Sequence, residues 1–222
     1  MKSLVKVLMV LSLAAVICLP GVALASVLNF DDLPTPISFD PGFGGGNLNY
    51  GTIPASYAGF TWTGSWCVVE DTSYNSAYFN TTVFPSAHNA AFNDGGETLV
   101  ATSSSGPINV STVSFAFWAL HDASFQANGG SSASVTVNGY LGATLVGSVS
   151  MDLASTFAPL TLNFNNVDKL TFANDGSAGH YWLMDNLEYE AVPLPPSLLL
   201  LGTGLVGLGC LRRRKVKDGL AA

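Results

Sequence analysis

Between residues 26 and 192, apolar side chains recur at every second position over short stretches, and clusters of Gly, Asn, Asp and Ser cut the stretches apart. In Ser134-Val135-Thr136-Val137 both valines fall on one face, and Val113, Phe115 and Phe117 share a face opposite Ser114 and Ala116. A period of two belongs to half-buried extended backbone, whose successive side chains point to opposite sides. The pattern, with its excess of Val, Thr and aromatic residues, predicts strands near 27–31, 58–62, 66–70, 88–92, 97–102, 110–119, 132–138, 142–152, 159–165, 168–173 and 181–190. Turns are expected at Asn93-Asp94-Gly95-Gly96, Asn138-Gly139 and Asn174-Asp175-Gly176, where residues tolerant of positive φ allow tight reversals. Helical periodicity is almost absent, and Pro41 to Asn49 and Tyr74 to Pro85 read as long loops. About ten short strands without blade repeats predict an all-β fold: a two-sheet β-sandwich of jelly-roll type, with a lipocalin-type barrel as the alternative.

The two ends follow different rules. Lys2 and Lys6 precede an apolar run from Val7 to Leu19 and the small-residue triplet Ala23-Leu24-Ala25, the order of a secretory signal peptide over residues 1–25 with cleavage before Ser26. At the other end, Val192-Pro193-Leu194-Pro195-Pro196 leads into an apolar stretch from Ser197 to Leu211 and then Arg212-Arg213-Arg214-Lys215. Helical, that stretch spans about 22 Å against a hydrocarbon core of roughly 30 Å, a short transmembrane helix whose basic flank sets its C-terminus in the cytoplasm. The organisation expected is signal (1–25), ectodomain (26–191) and tail (192–217), with export through the inner membrane.

Charge sharpens this division. Fourteen acidic residues and the single base Lys169 lie between Ser26 and Val192, a net charge of −13 that the whole-chain value of −7 conceals. Such a surface repels a phosphate backbone, so nucleic acid is excluded as a partner, and divalent cations are the natural counter-charge. Cys67 is the one cysteine of the ectodomain, so no internal disulfide forms there, and its apolar surroundings predict a buried thiol.

The tail, VPLPPSLLLLGTGLVGLGCLRRRK, resembles the PEP-CTERM sorting domain of bacteria that make exopolysaccharide. The resemblance implies an exosortase-type membrane enzyme as partner, with Pro193, Leu194 and Pro195 in the sorting motif and Arg212, Arg213 and Arg214 as the retention signal; Leu194 stands where that family has glutamate. It also implies transient anchoring in the inner membrane, then residence on the outer surface or in the extracellular matrix. Within the ectodomain, Phe30-Asp31-Asp32-Leu33, Tyr57-Ala58-Gly59-Phe60-Thr61-Trp62, His88-Asn89-Ala90-Ala91-Phe92, Val135-Thr136-Val137-Asn138-Gly139-Tyr140 and Leu183-Met184-Asp185-Asn186-Leu187 resemble PEP-CTERM ectodomains with a carbohydrate-binding-module-like jelly roll. In binding modules of that kind the first and last strands pair and oxygens from both often hold a structural calcium ion. The resemblance therefore implies Ca²⁺ at Asp31, Asp32 and Asp185, against the plainer reading that these carboxylates cap turns.

A polysaccharide ligand is expected to stack on exposed rings, and Tyr74, Tyr78 and Phe79, in a polar loop, are the candidates; Trp118 and Trp182, inside apolar strands, are expected in the core. No catalytic residue is singled out. His88, His121 and His180 stand in no metal-ligand spacing, and no nucleophile elbow accompanies His121-Asp122. The leading expectation is a non-enzymatic glycan-binding or adhesion module; the alternatives are a polysaccharide hydrolase, whose paired carboxylates counting alone does not reveal, and a structural matrix protein.

Overall fold

The computed structural model describes residues 25–39, 47–78, 82–118, 130–177 and 179–192. The expected signal up to Leu24, and the tail with Pro193, Leu194, Pro195, Arg212, Arg213 and Arg214, lie outside the described residues, as does Phe79. In chain order the elements are β1 (Ala25–Leu28), β2 (Ile37–Phe39), β3 (Leu48–Thr52), β4 (Ser56–Tyr57), β5 (Phe60–Thr63), β6 (Trp66–Glu70), α1 (Asp71–Tyr78), β7 (Asn89–Asn93), β8 (Leu99–Ser103), β9 (Ile108–Phe117), β10 (Ser134–Leu141), β11 (Thr144–Asp152), β12 (Ala158–Val167), β13 (Lys169–Ala173) and β14 (Trp182–Ala191).

They form two antiparallel sheets packed as a sandwich. The larger runs β12-β9-β14-β7-β6-β3-β2 and the smaller β11-β10-β13-β8-β5-β4. β14 holds the larger sheet together: β9 lies along one side, while β7 takes its first half (Leu183↔Phe92) and β1 its second (Leu28↔Leu187) on the other. First and last strands therefore pair, as the jelly-roll resemblance implies.

Alternation explains the layer between the sheets. Val135 and Val137 of β10, Leu170 and Phe172 of β13 and Val113 and Phe115 of β9 are buried, while their chain neighbours Thr136, Thr171 and Ser114 are partly exposed. Aromatic rings dominate the centre: Trp66 meets Trp62, Phe172 and Trp182 edge-on at centroid distances of 4.8, 5.3 and 5.7 Å, the orientation that ring quadrupoles favour. Two indoles there keep a partner, Trp62 Nε1 donating to the Tyr57 carbonyl (3.0 Å) and Trp66 Nε1 to that of Val100 (3.1 Å).

Three local expectations are corrected. The loop expected from Tyr74 begins inside a helix, α1, because Ser73, Tyr74, Ala77 and Tyr78 recur at helical spacing and bury one stripe against the larger sheet. The loop expected over Pro41 to Asn49 ends in a strand, β3, whose Gly51 passes so close to the Pro34 carbonyl that a Cβ would lie 2.2 Å from its oxygen. Asn138-Gly139 is not a turn: β10 continues to Leu141 and the reversal falls at Gly142, with φ of 58°. Gly139 is required for another reason, since a Cβ there would stand 2.7 Å from the Phe164 ring.

Candidate ligand pocket and cation site

The outer face of the larger sheet is not the wet surface that alternation alone predicts. Ala116, opposite in parity to Phe115, is buried in a second apolar cluster with Cys67, Val69, Ala90 and Leu183, roofed by Tyr74, Ala77 and Tyr78 of α1. The helix covers only part of this face. Beside it lies a pocket of about 280 Å³ lined by Leu48, Tyr50, Tyr78, Phe92, Asp94, Trp118 and Tyr181.

Each wall follows from its element. Leu48 and Tyr50 stand two apart on β3 and so share a face; Phe92 comes from β7; Tyr78 ends α1; Trp118 and Tyr181 flank the paired strands β9 and β14. Trp118 is the hub, with ring centroids of Phe92, Tyr74, Tyr78 and Tyr181 at 5.0, 5.1, 5.4 and 5.6 Å. Tyr50 and Tyr181 are half-buried and Asp94 is exposed at the rim, in a turn whose Gly95 and Gly96 hold φ of 83° and 67°. Burial pushes the Tyr78 phenol up to about 12 and also raises that of Tyr181, to which the nearby Asp94 charge adds. Both hydroxyls thus stay protonated donors at neutral pH beside one carboxylate acceptor. Ring surface flanked by hydroxyls and a carboxylate matches a pyranose, which offers C–H faces and hydroxyl edges together.

The sequence-expected ring platform is placed differently. Tyr74 is fully buried and presents no face to solvent, and Tyr78 is buried except where it forms a pocket wall. Trp182 is in the core as expected. Trp118 is buried too, but in the outer cluster and at the pocket wall. Tyr50, Phe92, Asp94 and Tyr181 are site residues that sequence reasoning missed; the parity of Leu48 and Tyr50 would have grouped two pocket residues had residues 48–52 been read as a strand. Cys67 is buried, and burial raises its thiol to about 11, with Asp94 contributing, so it remains an unreactive thiol. His180 Nδ1 lies 2.8 Å from Asp175 Oδ2, a clasp within the loop before β14.

Of the three carboxylates expected to share an ion, the structure brings two together. Asp31 and Asp185 meet across Ser86, whose Oγ lies 3.2 Å from Asp31 Oδ1, 3.0 and 2.8 Å from the two Asp185 oxygens, and 3.2 Å from the Asn29 carbonyl. Asp32 turns away and accepts a 2.5 Å hydrogen bond from the Tyr57 hydroxyl. Backbone amides orient the pair, Asn89 N donating to Asp31 (3.0 Å) and Ser86 N and Asn186 N to Asp185 (2.8 and 2.7 Å). Burial pushes the Asp185 carboxyl up to about 6, opposed by those amides and reinforced by the charge of Asp31.

The oxygens that meet at Ser86 are of the kind that a hard cation takes. A hydroxyl has one proton to give, yet four oxygens surround Ser86 Oγ, so most of these contacts are oxygen against oxygen with anionic charge on two residues. A calcium ion takes six to eight oxygens from carboxylates, carbonyls and water, and five are gathered here. No group of three or more His, Cys, Asp or Glu side chains able to hold a metal exists among the described residues, so the carbonyl and hydroxyl oxygens are essential to such a site.

No protein-family model and no curated protein matches the sequence. Among solved structures the chain is similar to the K2 cleaved adhesin domain of Lys-gingipain, with 11% identity, TM-score 0.42 and coverage of 76% of this chain and 100% of that one. It is also similar to a family 29 carbohydrate binding module, with 12% identity, TM-score 0.33 and coverage of 76% and 92%. A third is TmCBM61, solved in complex with β-1,4-galactotriose, with 9% identity, TM-score 0.32 and coverage of 72% and 92%.

Proposed function

We propose that the ectodomain is a non-catalytic module that binds neutral glycan through the aromatic pocket. The observation that carries this reading is the meeting of half-exposed Tyr50 and Tyr181, the Trp118 ring and the Asp94 carboxylate around one open pocket. The net charge of −13 favours a neutral polysaccharide over an acidic one. Glycoside hydrolysis uses two facing carboxylates, and the described lining of this pocket supplies one.

The sequence supports the rest of the reading. The chain is exported by its N-terminal signal, held in the inner membrane by the apolar stretch ending at Leu211, and processed at Pro193-Leu194-Pro195 by an exosortase-type enzyme for display outside the cell. Asp31, Asp185, Ser86 and the Asn29 carbonyl hold a calcium ion that pins the end of β1 to β14 and to the segment before β7.

A glycan array probed with the full chain in detergent, with and without EDTA and beside a reducing-sugar assay, tests the function. Binding to neutral glycans without sugar release, lost in a Tyr50→Ala/Tyr181→Ala double variant, is the expected result. Release of reducing sugar, or binding indifferent to that double variant, overturns it.

A further inference from the structure

The far end of β14 carries a second cavity of about 480 Å³ that the reading above does not use. Asparagine chemistry makes it. β12 slips past β9 between Thr161 and Phe164 and again between Phe164 and Val167, and β14 slips past β9 between Asp185 and Glu188. In each slip one asparagine (Asn163, Asn166 and Asn186) adopts a left-handed φ of 50°, 59° and 49°, which its short polar side chain tolerates better than other non-glycine residues do. The strands on both sides of β9 are thereby bent, and a groove opens over Asn109, Val110 and Ser111, between Asn163, Asn165 and Glu190.

The lining is polar and held in place. Val110 points into the core, so Asn109 and Ser111 on either side of it face outward. Asn109 donates through Nδ2 to Glu190 (3.0 Å) and accepts at Oδ1 from the Asn166 amide (2.9 Å), which fixes its side chain. The second Nδ2 hydrogen of Asn109 and the second carboxylate oxygen of Glu190 have no partner among the described residues. Asn163 and Asn165 are exposed at the opposite wall, and among the described residues no Lys or Arg lines the groove.

Amides that donate and accept from adjacent atoms, beside a carboxylate acceptor, complement hydroxyl groups on neighbouring ring carbons; a phosphate or uronate would meet Glu190 with no cation in return. We infer that this groove is a second saccharide site, binding neutral sugar by hydrogen bonds rather than by ring stacking, and independent of the aromatic pocket. The two sites stand about eight strand residues apart along β14, from Tyr181 to Tyr189, or roughly 26 Å. A single domain would then engage matrix polysaccharide at two points, which raises the avidity of even weak individual sites.

Titration of the ¹⁵N-labelled full chain in detergent with cellotriose, mannotriose and galactotriose, each at millimolar concentration, tests this through the side-chain amide signals. At least one trisaccharide should shift the Asn109, Asn163 and Asn165 amides, trigalacturonate should not, and a Ser111→Ala/Asn165→Ala double variant should weaken the affinity read at Asn109 and Asn163 about tenfold while leaving shifts around Trp118 unchanged. Both positions in that variant are exposed and outside the left-handed region, so the fold is retained. Unmoved groove amides with all three neutral sugars, or shifts that persist in the double variant, overturn the inference whether or not the aromatic pocket binds.

Discussion

The larger sheet carries an aromatic cluster on each face, and the two differ in what closes them. On the inner face Trp66, Phe115 and Trp182 meet Trp62 and Phe172 of a complete second sheet, and all five are buried at 5% exposure or less. On the outer face Tyr50, Phe92, Trp118 and Tyr181 meet one helix of eight residues that ends in Tyr78, and the uncovered part is the pocket. Similar residue types thus become closed core or open pocket according to the parity of their strand position and the size of the lid. The inner cluster should govern stability and the outer one recognition.

The largest effect should separate the two at once. Trp66→Ala removes a fully buried indole and is expected to cost about 3–5 kcal/mol in chemical denaturation, whereas Tyr181→Ala, at a half-exposed ring, is expected to cost about 1 kcal/mol while reducing glycan binding. Comparable destabilisation by both would erase the contrast between the faces.

Next in size is the cation that we propose beside the outer face. With calcium at about a hundred times its dissociation constant, chelation should lower unfolding stability by about 2.7 kcal/mol, and Asp185→Asn should abolish the difference. A melting curve indifferent to EDTA in the parent protein removes the ion from this site.

A third test uses pH to ask whether the outer cluster is as dry as its geometry implies. Burial raises Tyr78 from an ordinary phenol value near 10 to about 12, so the folded state holds its proton over a range where the unfolded chain gives it up. The sign follows: stability is intact below pH 10 and falls as pH climbs towards 12, by on the order of 2–3 kcal/mol from this group. Tyr78→Phe should flatten that part of the profile, and absorbance should show a tyrosine titrating late; ionisation of every phenol near pH 10 would contradict a dry cluster.

The sequence made the inner face legible, and the reason bears on the outer one. Strict alternation in Val135-Thr136-Val137 and Val113-Ser114-Phe115 specifies strands whose apolar side needs a second sheet, which is enough for a sandwich. Alternation is blind to a second apolar layer, and at Ala116 and Leu183 the sheet is buried on both faces. The helical stripe of Tyr74, Ala77 and Tyr78 is too short to stand out from the polar residues around it, so two buried tyrosines read as a loop platform. Asp31 and Asp185 were expected together only through the resemblance to jelly-roll binding modules, in which first and last strands pair; Ser86, the residue joining them, has nothing in its local sequence to mark it. Tyr50, Asp94 and Tyr181 converge only through strand order, which a one-dimensional pattern does not contain.

The smallest effect tests how well the inner cluster is satisfied. Trp66 and Trp182 are both fully buried and pack edge-on at 5.7 Å, yet Trp66 Nε1 donates to the Val100 carbonyl while Trp182 Nε1 has no hydrogen-bond partner among the described residues. Trp→Phe removes similar apolar volume at either position. At Trp66 it also breaks a hydrogen bond, whereas at Trp182 it deletes a buried donor that was already costing free energy. Trp66→Phe should therefore be the more destabilising of the two by about 1–2 kcal/mol, read as a shift in denaturation midpoint at unchanged slope. Equal losses would mean that the Trp182 indole has found a partner, most simply a bound water, and that the closed face holds a wet point as the open one does.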